Sequence, residues 1–67
     1  MKIDAVKFKK ALEESGKTRA QIAVAAGYST STRITQLEKD GGEVNANIVA
    51  AMAKEMKVKP GDISEGE

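Results

Sequence analysis

Thr18-Arg19-Ala20-Gln21-Ile22-Ala23-Val24-Ala25-Ala26-Gly27-Tyr28-Ser29-Thr30-Ser31-Thr32-Arg33-Ile34-Thr35-Gln36-Leu37-Glu38-Lys39 is the stretch whose reading decides the fold. Thr18 stands at the head of a helix. Gln21, three residues on, completes a capping box in which hydroxyl and carboxamide each satisfy a backbone N–H that the helix start leaves without a partner. Ile22, Ala23 and Ala26 make a short buried stripe, whose alanines let a neighbouring helix come close. Gly27 is the stop, able to take the left-handed conformation that ends helices. The hydroxyl-rich residues 29–33 follow, where Ser or Thr can cap a third helix. Ile34 and Leu37, three apart, anchor that helix by one face. Ser31, Thr32, Thr35 and Gln36 are left as its polar surface.

Upstream, Asp4 caps a first helix that carries Phe8 and Leu12 four apart on one face, and Gly16 ends it. Downstream, Asp40-Gly41-Gly42 breaks the chain and Asn45 caps a fourth helix. Ile48, Val49, Met52, Ala53 and Met56 recur there at helical spacing. Pro60 is placed to open one last short turn. The pattern predicts an all-α fold of four helices plus a fragment, with no strand, repeat or linker. It forms one domain over residues 1–63, with the paired-helix unit at about 18–39. Residues 64–67 are expected to be an acidic, frayed tail.

Composition narrows the chemistry. The chain has 67 residues, 40% hydrophobic and 31% charged, so it has room for one small domain. Its only aromatics are Phe8 and Tyr28, which leaves the core to Ala, Val, Ile, Leu and Met. There is no Cys and no His, which removes disulfides, thiol nucleophiles, imidazole bases and nearly every zinc or haem ligand set. A chain this short buries only roughly 60% of its unfolded surface, which disfavours a deep substrate pocket. The reading is therefore a non-enzyme with no cofactor, no metal and no small-molecule ligand. The charged start and the short apolar runs at 22–26 and 48–53 suit neither a signal peptide nor a membrane span. A soluble, cytoplasmic protein is expected.

Net charge is +1, but it is unevenly distributed. Residues 1–40 carry eight basic against five acidic side chains, and residues 41–67 carry three against five. The basic front half suits an anionic partner, although a mixed solvated surface accounts for the same numbers. Other motifs dissolve on inspection. Gly16-Lys17-Thr18 resembles the tail of a phosphate-binding loop, but Ala11 stands where that loop needs its earlier glycine. Glu13 and Glu14 are helix neighbours and point apart. Met52 and Met56 continue the stripe of Ile48 and Val49, which assigns them to the core.

The paired helices around residue 27 do not dissolve so easily. A helix that docks in a DNA groove needs short donors and acceptors at its N-terminal end, able to reach base edges without striking the groove walls. Basic residues beside it, such as Arg19 and Lys39, neutralise backbone phosphate.

At these residues the chain resembles the lambda-repressor-like, Cro-type helix-turn-helix family. The matching words are Thr18-Arg19-Ala20-Gln21-Ile22-Ala23, Gly27-Tyr28-Ser29 and Ile34-Thr35-Gln36-Leu37-Glu38. The last runs from Met52-Ala53-Lys54-Glu55-Met56 through Lys57-Val58-Lys59-Pro60-Gly61-Asp62-Ile63. They cover about residues 5–63, and the ordered set is more specific than any one word. Two departures stand out. Arg19 takes the place of the family's usual Gln at the start of the second helix. Gly27 to Ile34 spans seven residues, one more than usual. Counting back four from Ile34 puts the third-helix cap at Thr30, with Ser29 and Ser31 as alternatives.

The resemblance implies a homodimeric, sequence-specific DNA-binding regulator, a phage or prophage repressor acting on a two-fold-related operator in a bacterial cytoplasm. Residue by residue, it implies that Ser31, Thr32 and Gln36 face bases. Gln36 is the strongest candidate, because a carboxamide can pair bidentately with adenine. Arg19, Thr35 and Lys39 fall to phosphates, and Arg33 to phosphate or guanine. The dimer surface is expected in the chain after Met56, at Val58, Pro60 and Ile63. The alternative is a protein-interaction module, antitoxin-like or anti-repressor, that reuses the same scaffold. The near-neutral charge and the extra connector residue favour it.

Overall fold

The computed structural model describes residues 1–65. Its elements run β1 (Lys2–Ile3), α1 (Ala5–Ser15), α2 (Arg19–Ala26), α3 (Thr32–Asp40), β2 (Gly42–Glu43), α4 (Ala46–Met56) and a 3-10 turn (Pro60–Asp62). The starts of α1, α2 and α4 are those that the side chains announce. Asp4 accepts from the Lys7 N–H at 3.0 Å. Thr18 and Gln21 close both halves of their capping box, at 3.1 and 2.8 Å. Asn45 accepts from the Asn47 N–H at 2.8 Å. Gly16 and Gly27 end α1 and α2 in the left-handed conformation.

The helices pack in two pairs, α2 on α4 and α1 on α3, around a core that includes Phe8, Leu12, Ile22, Ile34, Leu37, Val49 and Met52. Met52 and Met56 are both buried, as the stripe predicts, while Ile48 is only partly covered. Ala23 and Ala26 lie buried on α2, small enough to bring that helix close to α4. The particle measures 27 × 21 × 21 Å. Among the described residues no helix is long and apolar enough to cross a membrane.

Three expectations change. First, the fold is mostly helical but not free of strands, because β1 and β2 pair antiparallel, Lys2 with Glu43 and Ile3 with Gly42. Two-residue strands are too short to show an alternating pattern, and here a glycine pair supplies one of them. Second, Ser64 and Glu65 are not a frayed tail. Ser64 is fully buried and bridges Ile3, its hydroxyl donates to the Pro60 carbonyl at 2.9 Å, and the Glu65 N–H donates to the Lys2 carbonyl at 2.8 Å. β1 thus lies between β2 and the exit segment, with backbone partners on both sides. The remaining tail residues, Gly66 and Glu67, lie outside the described residues. Third, Ile63 is fully buried in its own chain, and its carbonyl accepts from the Asp4 N–H at 3.1 Å. It has no side-chain surface to offer a partner. Val58 packs partly against the core, and Pro60 keeps part of its surface.

Candidate functional site

The exposed face of α3 is built by two anchors. Ile34 and Leu37 are both 0% exposed, and they fix the rotation of the helix so that Thr32, Thr35, Gln36 and Lys39 face outward. With Ser31 and Asp40, these four line a shallow, open concavity. Of the sequence-predicted residues, Ser31, Thr32, Thr35, Gln36 and Lys39 are therefore brought together on one surface, and Arg33 is not among those that line it. Lys39 also borders a second groove, between α1 and α3, with Lys9 and Lys10. It makes no ion pair among the described residues.

The connector between α2 and α3 settles the cap. Gly27 and Tyr28 close α2 by donating to the Val24 and Ala23 carbonyls at 3.1 and 2.9 Å, and Tyr28 packs against the core. α3 then begins at Thr32 with Ser31 as its N-cap, one residue later than the count from Ile34 predicts. The Ser31 side chain makes no capping bond. Instead the Thr30 hydroxyl accepts from the Thr32 N–H at 3.4 Å, and the Ser31 carbonyl accepts from the Thr35 N–H at 3.1 Å. The connector spans residues 27–31, and beyond it Ile34 and Leu37 are both buried.

Individual side chains differ in what they can offer. The Thr35 hydroxyl donates to the Ser31 carbonyl at 3.3 Å, so its proton is already spent within the helix. To donate to an anion it must rotate away. Thr32 and Lys39 are exposed, and Ser31 is half-buried. Arg19 does not stand free as the sequence suggests. Its guanidinium forks onto the Glu38 carboxylate, with Nη2 donating to Oε1 at 3.1 Å and Nε to Oε2. The Glu38 side chain is 7% exposed and that of Arg19 55% exposed, so the pair covers a nearly buried carboxylate with an outward-facing cation. The hydrogen bond to Glu38, and then its charge, push the Arg19 pKa further above its ordinary value. Arg19 retains N–H groups beyond those bound to Glu38.

Arg33 is also occupied. Nη1 donates to the Gln36 Oε1 at 2.9 Å and Nη2 to the Glu43 carbonyl at 2.9 Å. Its two terminal nitrogens bridge α3 to β2. The sequence carries half of this signal, because Arg33 and Gln36 are three apart on one helix, a spacing at which side chains meet. The other half, the Glu43 carbonyl, becomes visible only once β2 is in place. The Arg19–Glu38 pair spans nineteen positions and has no local signature.

Among the described residues no group of three or more His, Cys, Asp or Glu could hold a metal ion. The chain matches no protein-family model, no curated protein and no solved structure in the comparisons made with each.

Proposed function

We propose that this protein is a sequence-specific DNA-binding regulator of the Cro-type helix-turn-helix kind. In this reading it acts as a homodimer on a two-fold-related site, with α3 lying in the major groove. The observation that carries the reading is the face of α3. Two fully buried anchors hold outward a strip of short polar side chains and one lysine, the donor and acceptor set that can reach base edges in the groove. Gln36 and Thr32 read bases, with Ser31 beside them at the helix start. Lys39, and Arg19 through its remaining N–H groups, hold phosphates and fix the register. Lys9 and Lys10 lie beside Lys39 along a groove that Glu13 and Glu38 also line. One helix contacts too few base pairs for useful discrimination in a genome, which is why a second copy is invoked. Val58 and Pro60 are the remaining candidates for the dimer surface.

The second reading, a protein-interaction module, is favoured by one observation: Glu38 neutralises Arg19 at the point where phosphate contact is wanted. Titration of isotope-labelled protein with a mixed-sequence duplex separates the two. DNA binding predicts amide shifts confined to α3, the connector and the start of α2, which fade as salt is raised. Unshifted spectra at low salt would refute the DNA reading and leave the protein-partner one.

A further inference from the structure

We infer that Arg33 is a positioning residue: it sets the direction of the Gln36 carboxamide and so the base pair which that carboxamide selects. The inference rests on the DNA-binding reading of α3. A guanidinium carries only donors, so the carboxamide atom 2.9 Å from Nη1 has to be the oxygen, and the two ends of the Gln36 amide are not interchangeable. The second terminal nitrogen is bound at 2.9 Å to the Glu43 carbonyl. That carbonyl belongs to a strand held by pairing with β1. Gln36 is therefore fixed relative to the sheet as well as to its own helix. Gln36 is exposed, and this bond is what holds its carboxamide in one direction.

The arrangement has a chemical consequence. The Gln36 oxygen keeps a second lone pair, and its Nε2 keeps both protons. Gln36 thus presents one acceptor and one donor in a fixed order, the set that complements the N6 donor and N7 acceptor of adenine. A guanine edge offers two acceptors and would want two donors. A carboxamide released from Arg33 still carries one acceptor and one donor, but it must be ordered before it pairs with adenine and is free to turn its NH2 alone toward the guanine acceptors, so its preference for adenine narrows. The role also separates Arg33 from a phosphate contact, for which charge alone would suffice.

The test compares wild type, Arg33→Lys and Arg33→Met for binding to duplexes selected by the wild type, with each base placed in turn at the position that responds to Gln36→Ala. A bidentate pair discriminates by about 5- to 150-fold. The expected result is that Arg33→Met narrows the adenine-over-guanine preference at that one position. Lys keeps both the charge and a donor for the Gln36 oxygen, so the overturning result is an unchanged adenine-over-guanine preference in Arg33→Met; if Arg33→Met then weakens every duplex alike and Arg33→Lys does not, Arg33 is a phosphate contact. Failure of the wild type to select any sequence would overturn the DNA reading itself. A DNA-free measurement covers the case of a variant that does not fold. Nitrogen relaxation of the wild-type Gln36 side-chain NH2 is expected to report an ordered group, and a freely mobile one would overturn the positioning role.

Discussion

Gly41→Ala is expected to be far more damaging than Gly27→Ala, although both glycines end a helix at positive φ. Gly27 has φ +85, and a Cβ built on it meets nothing within 4 Å. The cost there is that of placing alanine in the left-handed region, about 1 kcal/mol. Gly41 has φ 68 and ψ −152, a region that only glycine occupies readily, with strain of about 1–3 kcal/mol for any other residue. A Cβ on Gly41 would also strike the Ile3 carbonyl oxygen and lie 3.3 Å from the Ala5 nitrogen. Both are backbone atoms that cannot swing aside as a side chain could. Relief requires moving β1 away from β2, which breaks the Ile3–Gly42 pairing and disturbs the Asp4 cap of α1.

The combined cost is about 3 kcal/mol or more. A single small core supplies only about 3–5 kcal/mol of stability in total. Gly27→Ala should therefore melt cooperatively about 4–8 °C below wild type. Gly41→Ala should be largely unfolded, or melt at least twice as far below. Thermal and urea unfolding followed by far-ultraviolet circular dichroism measure both. Equal destabilisation by the two substitutions would refute the claim that the α3–β2 junction is closed against the first strand.

Further outcomes concern the end of α4 and the face of α3. Lys57 is the one described non-glycine residue at positive φ, at 60°, so Lys57→Gly should stabilise by about 1 kcal/mol, and an unchanged urea midpoint would contradict that. Gln36→Ala should cost about 1–3 kcal/mol on the selected site and flatten preference at one base pair. Unchanged preference in binding titrations would remove Gln36 from the reading. Lys39→Ala should weaken binding to all duplexes alike and reduce the salt slope by about one. A loss confined to the selected site would make Lys39 a base reader instead.

The helices were legible because their signals are local. Asp4, Thr18 with Gln21, and Asn45 each satisfy backbone groups within three residues, and Ile34 with Leu37 needs only helical spacing to mark the inner face. What was not legible depends on distant chain. β1 pairs across some forty residues with a strand made of Gly42 and Glu43, and Ser64 and Glu65 fold back onto β1 from the other side. That return is why Ile63 belongs to the core and not to a dimer surface. The α3 face itself was readable as a set of residues, but its electrostatics were not. Glu38 holds Arg19, and the Glu43 carbonyl holds Arg33. A sequence reading counts both as free cations.

The most direct measurement on the central claim is selection of bound duplexes from a random pool at physiological salt, followed by sequencing. The account predicts enrichment of a short inverted repeat, with half-sites about one helical turn apart. A folded protein that enriches no sequence would contradict it.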